Sequence, residues 1–114
     1  MKQINNQITV VELSEMSKNM YGDIVKAVVD LEKHTMVVDA EFHADEEQDL
    51  IKSGSIQQNL WGINLRPELY GTDDFIEFDS MINIRPNQNN PTRNVINTEI
   101  RNKIILLVNS LVIK

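Results

Sequence analysis

The sequence contains no cysteine, only 4 glycines and 3 prolines among its 114 residues, and aromatic side chains make up just 5% of it. The absence of cysteine excludes disulfide frameworks, thiolate zinc sites and cysteine nucleophiles, and it is expected of a protein from the reducing cytoplasm. No glycine-rich phosphate cradle, nucleophile elbow or His-Glu-x-x-His zinc motif occurs. The longest apolar run, Ile104 to Val108, is far shorter than the roughly 20 residues that cross a bilayer.

Basic residues are the minority charge. Eleven Lys and Arg stand against 17 Asp and Glu, which gives a net charge of −6. This acidic balance argues against binding to nucleic acid or to an anionic membrane surface. The sequence also lacks the stripe of basic residues with exposed aromatic side chains that is typical of a nucleic-acid interface. The hydrophobic and charged fractions, 41% and 25%, are those of a globular protein, so we expect one domain over residues 1–114.

A capping box indicates the start of the first helix. Thr9 and Glu12 have the spacing at which each side chain accepts a hydrogen bond from the other residue's backbone N–H. Gly22 is suited to the left-handed conformation that ends a helix. These signals predict a helix over about residues 10–21.

Two stretches with apolar residues at every second position follow, and they predict a β-hairpin. The predicted register pairs Leu31 with Met36 and places Lys26 opposite Glu41, a favourable cross-strand pair. The alternating apolar residues are Val25, Ala27, Val29 and Leu31 in the first stretch, and Met36, Val38, Ala40 and Phe42 in the second.

The second half repeats this arrangement. A short helix is predicted to begin at Asp45 as its N-cap and to end at Gly54. Strands over residues 61–66 and 76–85 then form another hairpin, in which Leu65 pairs with Ile76 and Asn64 lies opposite Glu77.

A final helix is predicted from the cap Asn97 to about Val112, with a core-facing stripe of apolar residues. Four further apolar side chains fall outside that stripe, and a symmetric homodimer is the commonest way to bury such a surplus. The stripe is Ile100, Ile104, Leu107, Val108 and Leu111, and the surplus is Ile105, Leu106, Val112 and Ile113.

The order α-β-β-α-β-β-α predicts an α+β fold. We expect a two-layer sandwich in which two hairpins make one antiparallel four-stranded sheet, with the helices on its apolar face and water on its reverse.

Four segments of the chain resemble those of a small family of bacterial hypothetical proteins that is catalogued as a domain of unknown function. They are Gly22 to Asp30, Phe42 to Glu47, Leu60 to Asn64 and Ser80 to Pro86. The stretch that follows Pro86 is richer in asparagine than is common in the relatives, where it is shorter or contains glycine. The resemblance implies a shared fold and an intracellular bacterial protein, and it brings no activity.

Asp39, Glu41 and His43 alternate along the first hairpin and are followed by Asp45. Alternate side chains project from one face of a strand, and carboxylates with one imidazole suit manganese, iron, nickel or zinc. These four residues are therefore a candidate divalent-metal or acid–base site. The alternative is that they act in ion pairing and helix capping. Acid–base pairing with Glu77 and Asp79 is a related possibility, set against simple solvation of these charges.

The irregular stretch from Pro86 to Ile96 is the second candidate site, since long loops often bind ligands. Its donors suit a small anion, a carboxylate or a phosphate, and a solvated loop is the alternative. The candidate residues are Arg85, Asn87, Gln88, Asn90 and Arg93.

Together these features predict a small cytoplasmic protein that binds without catalysis, as a homodimer through its last helix. The competing hypothesis is a metal-dependent or carboxylate-based enzyme centred on the residues from Asp39 to Asp45. No cofactor other than a divalent metal is indicated.

Overall fold

The computed structural model describes residues 1–114, and it has three α-helices and seven short strands. The helices are α1 (Val10–Asn19), α2 (His43–Lys52) and α3 (Thr98–Leu111). The strands are β1 (Lys2–Ile4), β2 (Ile8–Thr9), β3 (Val25–Asp30), β4 (Thr35–Val38), β5 (Leu60–Leu65), β6 (Ile76–Glu77) and β7 (Val112–Ile113). The fold is therefore α+β, as predicted, and β1, β2 and β7 are strands that the sequence did not predict.

The main sheet has five strands in the order β1-β4-β3-β5-β6, and all neighbours are antiparallel. It differs from the predicted four-stranded sheet because β1 adds an edge strand beside β4. The two hairpins share this sheet through the pairing of β3 with β5. A separate parallel pair, β2 with β7, joins the beginning of the chain to its end.

The register of the second hairpin is confirmed, since Leu65 pairs with Ile76 and Asn64 with Glu77. That of the first hairpin is wrong by two residues: Val29, rather than Leu31, pairs with Met36. A shift of two keeps every side chain on its predicted face.

The cause of the shift is the turn after β3. The Asp30 carboxylate accepts hydrogen bonds from the backbone N–H groups of Glu32 and Lys33, at 2.9 and 3.0 Å, and so closes the turn early. As a result β4 ends at Val38, and the predicted pair of Lys26 with Glu41 does not form. The residue opposite Lys26 is Asn64 on β5.

The helix caps were predicted with mixed success. The capping box of Thr9 and Glu12 is confirmed, and Asn97 caps α3 by accepting from the N–H of Ile100. Helix α2 begins three residues earlier than predicted, with Phe42 rather than Asp45 at its N-cap, so Asp45 lies in the first turn and does not cap.

One face of the sheet, which we call the apolar face, carries the main core. Side chains of α1 and α3, among them Leu13, Ile104 and Val108, pack against it. Its strand residues are Val25, Ala27, Val29, Met36, Val38, Trp61, Ile63 and Leu65.

The reverse, which we call the polar face, is not the wet surface that was predicted. Helix α2 lies on it, and Leu50 packs in a small cluster with Val28, Val37 and Leu60. The helices therefore cover both faces of the sheet, whereas one face was predicted.

The predicted strand over 76–85 ends at Glu77, and Ser80 then caps a 3-10 turn, Met81–Asn83. Asn83 takes over the pairing of the missing strand: its side-chain amide accepts from the N–H of Gly62 at 2.8 Å and donates to the carbonyl of Gly62 at 2.9 Å. One side chain thus supplies hydrogen-bond partners for the buried backbone N–H and C=O of Gly62, which a neighbouring strand would otherwise provide.

Candidate functional site

The polar face holds most of the buried polar side chains of the molecule. Helix α2 contributes residues at helical spacing, so that they share the side of Leu50. Strands and turns contribute the rest. The residues are Asp30, His43, Glu46, Glu47, Asn64, Asn83, Arg85 and Asn90.

Arg85 links segments on both sides of the second hairpin by hydrogen bonds at this face. Its guanidinium donates to three backbone carbonyls, those of Gln57, Leu60 and Ile82. It also lies 3.6 Å from the Glu47 carboxylate. Both side chains are nearly inaccessible to water. Hydrogen bonds replace the hydration of Arg85, whereas the buried Oε2 of Glu47 has no hydrogen-bond partner and depends on the charge of Arg85.

The remaining donors of the predicted anion-binding loop also bond within the chain, except for Asn87, whose side chain makes no hydrogen bond. Asn90 bonds to Asn83, Thr92 and Asn94, Gln88 to Gln58, and Arg93 to Asp79. Anion binding here stays a prediction. Hydrogen bonds from Arg85 to Leu60 and from Gln88 to Gln58 hold this loop against the start of β5.

The four residues of the predicted metal site do not face one point. Asp39, Glu41 and Asp45 line one groove of about 430 Å³. His43 turns into the sheet instead, with Nε2 2.8 Å from the carbonyl oxygen of Ile63. Nowhere in the chain do three or more His, Asp or Glu side chains come together closely enough to hold a metal ion.

His43 is held in one tautomer. A carbonyl oxygen only accepts, so Nε2 carries the proton and Nδ1 is a bare acceptor. Burial lowers the pKa of His43, and the charge of Lys26 acts in the same direction. The imidazole is therefore neutral near pH 7, at the start of α2.

A row of polar side chains crosses three strands beside His43. Asn64 lies between Lys26 on β3 and Glu77 on β6, and its Nδ2 donates to the Glu77 carboxylate at 2.8 Å. Hydrogen bonds from Asn64 and Arg66 hold the pKa of Glu77 below its usual value. An ionised Glu77 fixes the orientation of the Asn64 amide, whose Oδ1 is buried without a partner.

Glu46 is a second buried group with an unsatisfied oxygen. Its Oε2 accepts from the N–H of Ala40 at 3.2 Å, and its Oε1 has no partner. Burial without a cation partner raises the pKa of Glu46 to about 10. This side chain is therefore a neutral acid in the folded protein at pH 7.

A cleft of about 590 Å³ lies between α3 and the turn that joins β3 to β4. Apolar side chains (Leu31, Trp61, Ile100, Leu106 and Leu107) and polar side chains that include Glu32, His34 and Lys103 line it.

The residues of α3 and β7 that were predicted to form a dimer contact differ in their exposure to solvent. Leu106 is 71% exposed beside this cleft, while Ile105 is half-buried in a different groove. Ile113 is partly exposed. Val112 is buried because β7 pairs with β2, so it is not free to meet a second copy.

Comparison with known proteins gives one match. The family described as "Protein of unknown function (DUF5674)" has a sequence model that matches residues 2–111. The chain belongs to this family. The match confirms the resemblance found in the sequence, and the family's description assigns no activity. No curated protein and no solved structure matches the chain.

The longest helix of this DUF5674 protein, α3, has 14 residues, and none of the helices has both the length and the hydropathy needed to cross a membrane.

The buried positions of Glu46 and Glu47 were not predicted from the sequence. A signal for them was present, because positions 43, 46, 47 and 50 have the i, i+3, i+4, i+7 spacing of one helix face. Acidic residues in a first turn are usually solvated, which hides this signal. The cleft beside α3 left no signal, since its residues come from three separate segments.

Proposed function

We propose that this protein is a non-catalytic binding module that acts as a homodimer, with Leu106 and the neighbouring cleft as the contact. The observation that carries the proposal is the exposure of Leu106, an aliphatic side chain at 71%, at the edge of a cleft with an apolar lining. In a two-fold dimer the same surface meets itself. A protruding group and a recess on one surface satisfy that requirement.

The charges of the cleft favour a second copy as the occupant. Glu32 and Lys103 both line it, so a two-fold axis can bring the carboxylate of one subunit to the ammonium of the other. The lack of cysteine in the chain is in keeping with a cytoplasmic setting.

Light scattering tests the dimer. Wild-type protein at high micromolar concentration should have twice the chain mass of 13.1 kDa. Leu106→Asp should be a monomer, since a charge would be buried without a partner. Val11→Asp is the matched control, because Val11 is 65% exposed on α1, and this variant should stay dimeric. A wild-type monomer, or equal loss of dimer in both variants, refutes the proposal.

A metal-dependent or carboxylate-based enzyme is the second candidate. The observation in its favour is that the carboxylates of Asp39, Glu41 and Asp45 line one groove, although they do not come together closely enough to form a three-ligand metal site. Metal analysis of untagged protein, with thermal melts before and after chelation, tests it. Bound divalent metal and a lower melting temperature after chelation support the enzyme, and an unchanged melt without metal counts against it.

A further inference from the structure

Lys26 is a cation without a carboxylate partner. Each arginine around the polar face has one: Arg66 pairs with Asp23 and Glu77, Arg85 with Glu47, and Arg93 with Asp79. Lys26 is half-buried on β3, and its ammonium makes no ion pair and no hydrogen bond within the chain.

Two aromatic rings hold the Lys26 ammonium at the surface. Nζ lies 5.0 Å from the ring centre of Tyr21 and 5.6 Å from that of Phe42. Both rings are exposed, at 40% and 54%. Cation–π contacts stabilise the position of the ammonium, but they leave its three N–H donors without acceptor oxygens.

His43 follows Phe42 directly and supplies the complementary group. Its Nδ1 is an acceptor without a partner, and it is not among the polar atoms shielded from solvent. The nearby negative charge that acts on His43 is that of Asp79, which Arg93 already pairs at 2.6 Å. Helix α2 has no side-chain cap at Phe42, so no side chain accepts from its first N–H groups.

We propose that Lys26 and His43 form a binding site for a small organic acid that carries a hydroxyl or amide N–H beside its acid group. The acid group, carboxylate or phosphate, accepts from the Lys26 ammonium and the start of α2. The neighbouring hydroxyl or N–H donates to Nδ1 of His43. The exposed edges of Tyr21 and Phe42 contact the carbon skeleton.

The inference rests on the binding role proposed above but not on the dimer. Lys26 and His43 lie on the polar face, and α3 packs against the opposite one. The light-scattering test and a ligand titration can therefore fail separately.

NMR titration of the full chain tests the site. Lactate and inorganic phosphate are added to wild-type protein while the His43 ring and Lys26 side-chain signals are followed, and saturable shifts at both residues are expected. Propionate, which lacks the hydroxyl of lactate, should bind more weakly. Binding of either lactate or phosphate supports the site, and the tighter one identifies the acid group.

Matched variants assign the binding to Lys26. Lys26→Met keeps the apolar stem and should weaken binding about tenfold, which corresponds to ~1.4 kcal/mol. Lys18→Met makes the same change at an exposed lysine of α1 and should leave the affinity unchanged. The proposal is wrong if neither acid shifts the wild-type signals, if lactate binds but propionate binds just as tightly, or if the two variants lose affinity alike. The wild-type titration decides even if Lys26→Met does not fold.

Discussion

The two faces of the five-stranded sheet are both buried, but by different chemistry. On the apolar face, Trp61 and Ile63 meet aliphatic side chains of α1 and α3. On the polar face, Glu47 meets Arg85, and Asn83 completes the hydrogen bonding of Gly62. Burial of apolar groups requires only that they leave water, whereas each polar group must also find a partner with the right geometry.

This difference implies that the polar face is the more sensitive to small changes. A buried charge that loses its partner keeps the full cost of desolvation. Substitutions at Arg85, Gly62 and Glu46 test this difference between the two faces.

Arg85→Met should lower the free energy of unfolding by about 3–5 kcal/mol, because it removes a buried guanidinium and leaves Glu47 without its cation. Arg93→Met is the matched control. Its pair with Asp79 is half-exposed, so the loss should be about 0–1 kcal/mol. Urea denaturation measures both. Similar losses in the two variants would remove the distinction between buried and exposed pairs.

Gly62→Ala should cost about 1–3 kcal/mol through overpacking of the polar face. A Cβ at this position would lie 2.5 Å from the hydroxyl oxygen and 2.6 Å from the Cβ of Ser80. Ser80→Gly added to the same chain should restore part of the loss, which a double-mutant cycle measures. Additive losses would show that Ser80 is not the obstacle.

Glu46 should make the free energy of unfolding depend on pH. Its pKa is about 10 when folded and near 4.5 when exposed, so between these values the native state holds a proton that the unfolded state has released. Stability should therefore fall as the pH rises, by up to about 1.4 kcal/mol per pH unit.

Glu46→Gln removes this titration and should flatten the dependence. Thermal melts between pH 8 and 9 test it, because a histidine with a pKa of 6.5 or lower is neutral there in both states. Asp45→Asn, at an exposed position in the same helix turn, should keep the wild-type slope. A flat wild-type profile would mean that Glu46 is ionised in the folded chain.

The features that the sequence predicted well are those that neighbouring residues determine. Thr9 and Glu12 satisfy each other within one turn, and the alternation around Leu65 and Ile76 sets the register of the second hairpin. The register of the first hairpin was predicted wrongly because the Asp30 carboxylate accepts hydrogen bonds from the backbone of the following turn. Such side-chain bonds compete with strand pairing.

The parts of the candidate site that the sequence did not predict depend on contacts between distant segments. His43 looked like a ligand beside Asp39 and Glu41, yet its ring bonds to Ile63, twenty positions further along. The loop donors looked free, but Arg85 reaches back to Leu60 and Glu47. Composition shows which groups are polar, but only the packed chain shows which of them already have partners.

The parallel pairing of Ile8 with Val112 joins β2 to β7, so that a strand just before α1 lies beside the strand that follows α3. Because almost the whole described chain lies between these two strands, their pairing closes a long loop, and only two residue pairs offset the entropy that this closure costs.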